Sequence, residues 1–267
     1  MQKLLNFAIA SAALFTSSLA LAVPFSGPDA FGYNGSDIAF GLTDIRTSGT
    51  NIGLDNQDDG SFTNAIGFDF DFYGNIFTET HVSTNGFISF GANNAGKSGC
   101  CSGDPIPTPG SGLDNFIAGF WEDLNPGNGG SIRTQTIGDV GSREFIVGYY
   151  DVRDFDDPGS SINTFEIILH ELTNDIEIQI FQIQFDDVDD KTVGIENEDG
   201  TDGIEILFVE SSDPNYSNGD ILIQNQAFCF STGGTNCGQS TSVPAPATVG
   251  LFLLGLLGIK RARKTKA

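Results

Sequence analysis

The sequence predicts an all-β protein, an antiparallel two-sheet β-sandwich with jelly-roll-like connectivity. Many short segments alternate apolar and polar residues with a period of two, which places successive side chains on opposite faces of a sheet. The 267 residues include 34 Gly, 23 Phe and 1 Met, a composition that favours short strands and tight turns. No long helical period separates the segments, which argues against an alternation of strands and helices.

The clearest strand pattern is the run 176–180, in which three isoleucines alternate with polar residues. A second run at 165–169 has the same pattern, and the turn-forming residues 172–175 connect the two in a predicted antiparallel hairpin. Gly, Pro, Asn and Asp punctuate the rest of the chain. Further strands are predicted at 37–45, 66–72, 80–90, 116–122, 131–137, 144–152, 192–196, 203–209 and 221–230. The long segment 92–112, rich in proline and glycine, is predicted to be a surface loop within one domain.

The chain ends predict three parts: a signal peptide at residues 1–22, one sandwich domain at 23–242 and a sorting tail at 243–267. The first part has Lys3, then an apolar stretch, then Ala20 and Ala22 in the small-x-small arrangement of a cleavage site. We predict a helical signal peptide that directs Sec-type export and is cleaved after Ala22.

The tail contains an apolar run at 249–259, a basic cluster at 260–266 and, before them, a motif of Val243, Pro244, Ala245 and Pro246. The prolines keep the motif extended, so a hydrophobic helix can begin only after Pro246. A helix over 247–259 would span about 20 Å against a hydrocarbon core of roughly 30 Å, a gap that snorkelling cations partly close. Because the basic cluster stays on the cytoplasmic side, we expect transient anchoring in the inner membrane with the domain outside.

With this order of motif, apolar run and basic cluster, the tail resembles the PEP-CTERM sorting signals of Gram-negative bacteria. Ala245 stands where the family name implies a glutamate between two prolines. The resemblance implies an exosortase-type enzyme that processes the tail and delivers the protein to the cell surface or extracellular matrix. The alternative is a plain membrane anchor, which also places the domain outside the cytoplasm.

A second resemblance covers residues 80–210. The segments 81–90 (HVSTNGFISF), 117–124 (IAGFWEDL), 164–169 (TFEIIL) and 174–176 (NDI) resemble nidogen-like extracellular domains. Such domains occur in secreted matrix and adhesion proteins, and no catalytic activity is generally attributed to them. The resemblance therefore implies a non-enzymatic extracellular domain.

The net charge of −23 understates the acidity of the predicted domain, because half of the twelve Lys and Arg lie in the two ends whereas all 35 acidic residues lie between them. Such a domain repels nucleic acid and anionic lipid surfaces, so we expect no nucleic-acid partner. Divalent cations, cationic polymers and basic proteins are the partners that the charge favours. Solubility without a specific cation site is the alternative.

Four cysteines in an exported chain indicate disulfides. We predict a bond between Cys229 and Cys237, whose connecting loop contains two glycines. Cys100 and Cys101 are adjacent and can pair with each other only in a strained vicinal disulfide, so two bridges from this pair to the C-terminal segment are the alternative. The adjacent pair fits a zinc site poorly.

Calcium is the one cofactor for which the sequence offers candidate ligands, because this ion takes six to eight oxygens and Asp and Asn cluster in predicted turns. None of the clusters matches the EF-hand loop; in the first, Ile66 stands where the final glutamate should be. The candidate ligands are Asp55, Asp58, Asp59, Asp187, Asp189, Asn197 and Asp199.

The sequence gives little support to an enzyme. A serine triad needs a histidine base, but His81 and His170 both lie in strand patterns outside any nucleophile-elbow motif. Glu122 and Asp123 follow an aromatic residue, as in some glycosidases, but neighbouring strand residues point to opposite faces and cannot both reach one glycosidic bond without a bulge.

The function that the sequence favours is therefore a non-enzymatic surface or extracellular-matrix protein, active in adhesion or in association with exopolysaccharide, a biofilm or surface proteins. A calcium-dependent carbohydrate-binding module is the alternative, and a secreted hydrolase is the third.

Overall fold

The structure, a computed structural model, describes residues 27–156, 159, 161–186 and 188–233. The predicted signal peptide and sorting tail lie outside these residues, so the two terminal helices and the sorting motif remain predictions. The described residues form fourteen strands and two single-turn 3-10 helices, Ala92–Asn94 and Pro126–Asn128. None of the helices among them has the length and apolar character that a membrane span requires.

The strands are short and follow one another closely along the chain. They are β1 (Asn34–Ile38), β2 (Thr50–Asn51), β3 (Ser61–Phe72), β4 (Asn75–Ser83), β5 (Phe87–Ser89), β6 (Phe116–Trp121), β7 (Leu124–Asn125), β8 (Ser131–Ile137), β9 (Glu144–Asp154), β10 (Asn163–His170), β11 (Ile176–Gln184), β12 (Lys191–Glu196), β13 (Gly203–Val209) and β14 (Ile221–Ser231).

Two antiparallel sheets pack face to face. The eight-stranded sheet has the order β1-β14-β11-β10-β9-β8-β2, with β7 pairing to β9, and the six-stranded sheet has the order β13-β12-β6-β5-β4-β3. The predicted hairpin is present as β10 and β11, with Ile167 opposite Ile178. The antiparallel two-sheet sandwich predicted from the sequence is therefore confirmed. The predicted jelly-roll-like connectivity is not observed, because β3 to β6 and β8 to β11 are consecutive neighbours within one sheet instead of alternating between the sheets.

The core lies between the sheets and follows from the alternation in the sequence. In β3 the buried positions Ile66, Phe68, Phe70 and Phe72 alternate with exposed or half-buried ones. Each such apolar side chain contributes about 1.5–3 kcal/mol when buried. The Tyr149 hydroxyl crosses between the sheets and donates to carbonyl oxygens of the facing sheet, which fixes one sheet against the other.

Two predicted strands differ in extent from the observed ones. The segment 80–90 is two strands, because the chain turns at residues 84–86. The segment 37–45 is extended only to Ile38; beyond it the backbone N–H groups of Gly41 and Thr43 donate to the side chains of Gln179 and Glu166 instead of to a neighbouring strand. In this segment, side-chain oxygens of the eight-stranded sheet therefore accept the backbone hydrogen bonds that a neighbouring strand would accept in a regular sheet.

The predicted loop at 92–112 packs against the sandwich, with Ile106 buried beside Trp121. In this loop Cys100 and Cys101 form a disulfide with each other, so bridges from this pair to the C-terminal segment are not formed. Cys229 lies buried in β14 and is disulfide-bonded. Its predicted partner Cys237 lies outside the described residues, so that pairing remains a prediction.

Candidate functional site

Three strand ends, drawn from both sheets, bring carboxylates together at one end of the sandwich. Glu122 follows β6 of the six-stranded sheet, Asp154 ends β9 of the eight-stranded sheet, and Asp186 lies on the connection from β11 to β12. Each offers a carboxylate oxygen within 4.8 Å of the others, and the exposed fractions of the three residues are 0%, 0% and 1%. We call them the buried acid group.

Hydrogen bonds hold one oxygen of each aspartate and leave the other open. Asn163 Nδ2 donates to Asp154 Oδ1 over 2.7 Å, and the buried ammonium of Lys191 donates to Asp186 Oδ1. The oxygens Oδ2 of both aspartates, and both Oε atoms of Glu122, are buried without a hydrogen-bond partner among the described residues. Four such acceptors in one place are costly unless something else binds them.

A second set of carboxylates, the outer acid group, lies beside the first and nearer to solvent. It comprises Asp123, Asp156 and Asp189, again with one oxygen each within 4.8 Å of the others. Asp59 has an oxygen within the same distance of Asp123 and of the two sulfurs of the vicinal disulfide. The two groups together place six carboxylates at this end of the sandwich, which we call the acidic end.

Burial and mutual repulsion raise the pKa values of these carboxyls. Burial, followed by the charge of Asp154, raises the pKa of Glu122 well above its ordinary value, and burial raises that of Asp154 to about 7. Burial and then the charge of Asp189 raise the pKa of Asp123 to about 7. Desolvated carboxylates this close together attract cations, and an all-oxygen donor set suits the hard divalent ions.

Lys191 partly neutralises the buried acid group. Its side chain is fully buried, with the ammonium 5.1 Å from the centre of the Phe185 ring, and it donates to both Asp186 and the Asp189 carbonyl. One ammonium faces three carboxylates, so a net negative charge remains unless the carboxyls are protonated or a cation binds.

The calcium ligands predicted from the sequence lie in several places. Asp59 and Asp189 belong to the acidic end, and the charge of Asp58 also raises the pKa of Asp123 there. Asp55 instead forms an ion pair with Arg133 at 2.8 Å. Asn197 and Asp199 form hydrogen bonds with Thr201 inside their own turn. Asp187 lies outside the described residues.

Sequence reasoning missed the buried acid group as a set. Glu122 drew attention only as a possible glycosidase residue, and Asp154 and Lys191 drew none. The one available signal was an acidic residue at the end of an apolar strand, but Glu196 and Glu210 share that signal and do not belong to the group. That signal does not show which strand ends meet, because the three residues come from different strands of two sheets.

The residues considered for hydrolysis are used in other ways. Glu122 and Asp123 join different acid groups, as expected for neighbouring residues that point apart. The ring nitrogens of His81 lie 2.9 Å from Thr63 Oγ1 and 3.0 Å from the Gly91 carbonyl. His170 lies at the opposite end of the sandwich, beside Glu144 and Glu177.

A family model described as NIDO related matches residues 32–227, which include the whole buried acid group. The chain belongs to the NIDO-related family. This nidogen-related domain extends from just before β1 into β14, so the nidogen-like resemblance of the sequence is confirmed. No curated protein and no solved structure matches the chain.

Proposed function

We propose that the NIDO-related domain belongs to an exported, non-enzymatic protein of the cell surface or extracellular matrix, where it takes part in adhesion. The observation that carries the proposal is the family match over residues 32–227. Exopolysaccharide and other surface proteins are the partners proposed for it, and no nucleic acid is among them because the chain carries a net charge of −23.

The sorting proposal rests on the two ends of the sequence. A Sec-type signal peptide exports the chain, the tail anchors it transiently in the inner membrane, and an exosortase-type enzyme recognises the motif around Ala245 and releases the protein to the surface or matrix. The order of motif, apolar run and basic cluster supports this proposal.

Cell fractionation tests the sorting step. The full chain and a form ending at residue 242 are expressed in the native host, and the protein is located in membrane, surface and matrix fractions. We expect the full chain at the surface or in the matrix and the truncated form in the periplasm or medium. A full chain in which Pro244 and Pro246 are both replaced by Ala keeps the apolar run 249–259 and the basic cluster, so a changed location of this variant separates motif-directed sorting from plain anchoring. If all three forms reach the same fraction, the sorting proposal is wrong.

Adhesion is tested in the same host with a strain that lacks the gene. We expect the strain to lose surface attachment or matrix cohesion, and expect the full chain but not the 242-residue form to restore it. Restoration by both forms would show that tail-directed placement is not needed for adhesion, and restoration by neither would contradict the adhesion role.

The acidic end favours a second candidate, a calcium-dependent carbohydrate-binding module. Phe155 follows the buried Asp154 directly and is 44% exposed, so an aromatic face lies next to the carboxylates. Binding of the protein to the host's own exopolysaccharide is measured with calcium and with a chelator. A lectin-like module binds only with calcium, whereas a matrix protein of the first kind keeps its association when the metal is removed.

A further inference from the structure

The buried acid group combines close carboxylates, almost complete burial and four oxygens without a hydrogen-bond partner among the described residues. Its four open oxygens are both Oε atoms of Glu122 and the Oδ2 atoms of Asp154 and Asp186. Two oxygens bound to one calcium ion at about 2.4 Å can lie at most about 4.8 Å apart. The three residues meet that limit.

The groups around these carboxylates fix their orientation. Asn163 Nδ2 donates to Asp154 Oδ1 and Lys191 Nζ to Asp186 Oδ1, so each aspartate has one oxygen with a donor and a second oxygen, Oδ2, without a partner among the described residues. Metal-binding carboxylates are commonly oriented by such hydrogen bonds. Neither oxygen of Glu122 accepts from an N–H group or a hydroxyl among the described residues. When protonated, Glu122 can hydrogen-bond to Asp154, and a bound cation would take the place of that shared proton.

The charge balance agrees with this geometry. Three fully buried carboxylates share the single charge of Lys191, and unpaired charges in the protein interior are strongly unfavourable. One divalent cation would neutralise the remainder and bind the open oxygens at the same time. Four carboxylate oxygens leave two or more positions for carbonyl or water oxygens in the six- to eight-fold coordination of calcium.

We propose that Glu122, Asp154 and Asp186 bind a calcium ion that joins the two sheets. Glu122 comes from the end of β6, Asp154 from β9 in the other sheet, and Asp186 from the connection between the sheets. The ion therefore stabilises the sandwich at its acidic end, and the outer acid group adds a negative potential that attracts it. This inference is independent of the sorting and adhesion proposals, which stand if calcium does not bind.

Calcium titration of the full chain, purified in chelator and exchanged into buffer at pH 7.5, tests the proposal. We expect a dissociation constant below about 1 mM, in the range of extracellular calcium modules. At a 100-fold excess over that constant, Tm rises by about 5–10 °C. Magnesium at the same concentration gives a smaller rise. An unchanged Tm with calcium, or an equal or larger rise with magnesium, overturns the assignment.

Terbium luminescence reports the position of the ion. Trp121, the one tryptophan of the chain, directly precedes Glu122, so excitation of this indole sensitises a terbium ion bound at the buried acid group. We expect terbium emission that calcium displaces. Absence of sensitised emission when calorimetry shows binding places the ion elsewhere and contradicts the proposed ligands.

Matched variants separate this site from general acidity. Glu122→Gln and Asp154→Asn should each weaken calcium binding at least tenfold and remove the rise in Tm. Glu196→Gln is the control, because Glu196 is also buried, with an oxygen that has no partner in the described part of the chain, but belongs to neither acid group. It should bind calcium like the parent protein. If Asp123→Asn abolishes binding while Glu122→Gln does not, the outer acid group is the site and the proposal is wrong.

Discussion

The two ends of strands β9, β10 and β11 differ in how far their carboxylates are paired with basic side chains. At one end of β9 to β11, Arg143 forms two hydrogen bonds to Glu171, at 2.8 and 2.5 Å, and His170 lies within 3.6 Å of Glu144 and 3.4 Å of Glu177. At the other end, the buried acid group has one ammonium for three carboxylates. The second is the acidic end, and we call the first the paired end.

The pKa shifts of the carboxyls express this difference. The Arg143 guanidinium lowers the pKa of Glu171 to about 2, whereas burial raises the pKa of Asp154 to about 7. A carboxyl with a partner is held in its charged form, and one buried without enough partners is driven toward its neutral form. At the paired end each of these carboxyls therefore lies beside a basic side chain, whereas at the acidic end the carboxyls outnumber the single ammonium of Lys191.

The largest effect is expected from Gly86→Ala, at the turn between β4 and β5 on the acidic end. Gly86 has φ +82°, and an added Cβ would lie 1.7 Å from the Phe120 carbonyl oxygen, a collision with backbone of the neighbouring strand. The Gly86 carbonyl also accepts from the backbone N–H groups of Gly119 and Phe120. We expect a loss of more than about 4 kcal/mol in the free energy of unfolding, measured by urea denaturation.

Gly141→Ala is the matched control at the paired end. Gly141 also has a positive φ, +92°, but a Cβ there would meet nothing within 4 Å. The left-handed backbone alone costs about 1–2 kcal/mol for alanine. If Gly86→Ala and Gly141→Ala lose similar amounts of unfolding free energy, the positive φ alone explains why position 86 needs glycine. The contact with the Phe120 carbonyl oxygen would then contribute nothing.

Lys191→Met should have the next largest effect. The methionine keeps the apolar stem but removes the ammonium from the buried acid group, and loss of one partner from a buried ion pair typically costs about 3–5 kcal/mol. In chelator, the free energy of unfolding of the variant should be about 3–5 kcal/mol lower than that of the parent, measured by urea denaturation. Saturating calcium should recover more stability in the variant than in the parent, because the ion then balances more uncompensated charge.

Arg143→Met is the control for that prediction. It removes a cation from the paired end, where both side chains reach solvent, with 24% of Arg143 and 15% of Glu171 exposed. We expect a smaller loss of stability and no change in the response to calcium. If Lys191→Met in chelator is as stable as the parent, the ammonium contributes nothing at the acidic end.

The sequence predicted the parts of this molecule that local pattern determines. Period-two alternation located β8 and β13 with their observed bounds and placed the hairpin of β10 and β11. It failed between Gly41 and Ile45, where the backbone donates to the side chains of residues distant in sequence. Asp55 was predicted as a metal ligand because acidic residues lie near it in the sequence. In the structure it forms an ion pair with Arg133, which is 78 residues away.

The candidate site was beyond local pattern for the same reason. In their own segments Glu122 stands out only as a possible glycosidase residue, Asp186 only as a neighbour of the calcium candidates Asp187 and Asp189, and Asp154 not at all. Their shared chemistry arises only when the ends of strands from two sheets meet. A cluster in sequence, such as Asn197 and Asp199, is more easily noticed, but a tight turn uses those side chains to satisfy its own backbone. Searching for acidic residues close in sequence therefore identified turns such as 197–201, and not the group of carboxylates that the fold brings together.

The smallest effect is expected at the paired end, from the titration of His170. Burial, the largest single effect, lowers the pKa of His170, but the hydrogen bond and charge of Glu177, together with the charges of Glu144 and Asp175, raise it further, so that the pKa lies above its ordinary value. A raised pKa in the folded state means that the stabilisation is fully present below about pH 6.5 and is lost as pH rises through the folded-state pKa. One proton contributes at most about 1.4 kcal/mol per pH unit, and we expect about 1 kcal/mol in total.

The measurement is the difference in unfolding free energy between the parent and His170→Gln from pH 5.5 to pH 9. The difference is needed because carboxyls with raised pKa values, such as Asp154 and Asp123, also make the folded state less stable as pH rises. We expect His170→Gln to lose stability relative to the parent at pH 5.5 and to approach it at pH 9. Glu177→Gln should lower the pKa of His170 in an NMR titration. A difference that does not change with pH would mean that His170 is not paired as a cation, and the contrast between the two ends would then rest on Arg143 and Glu171 alone.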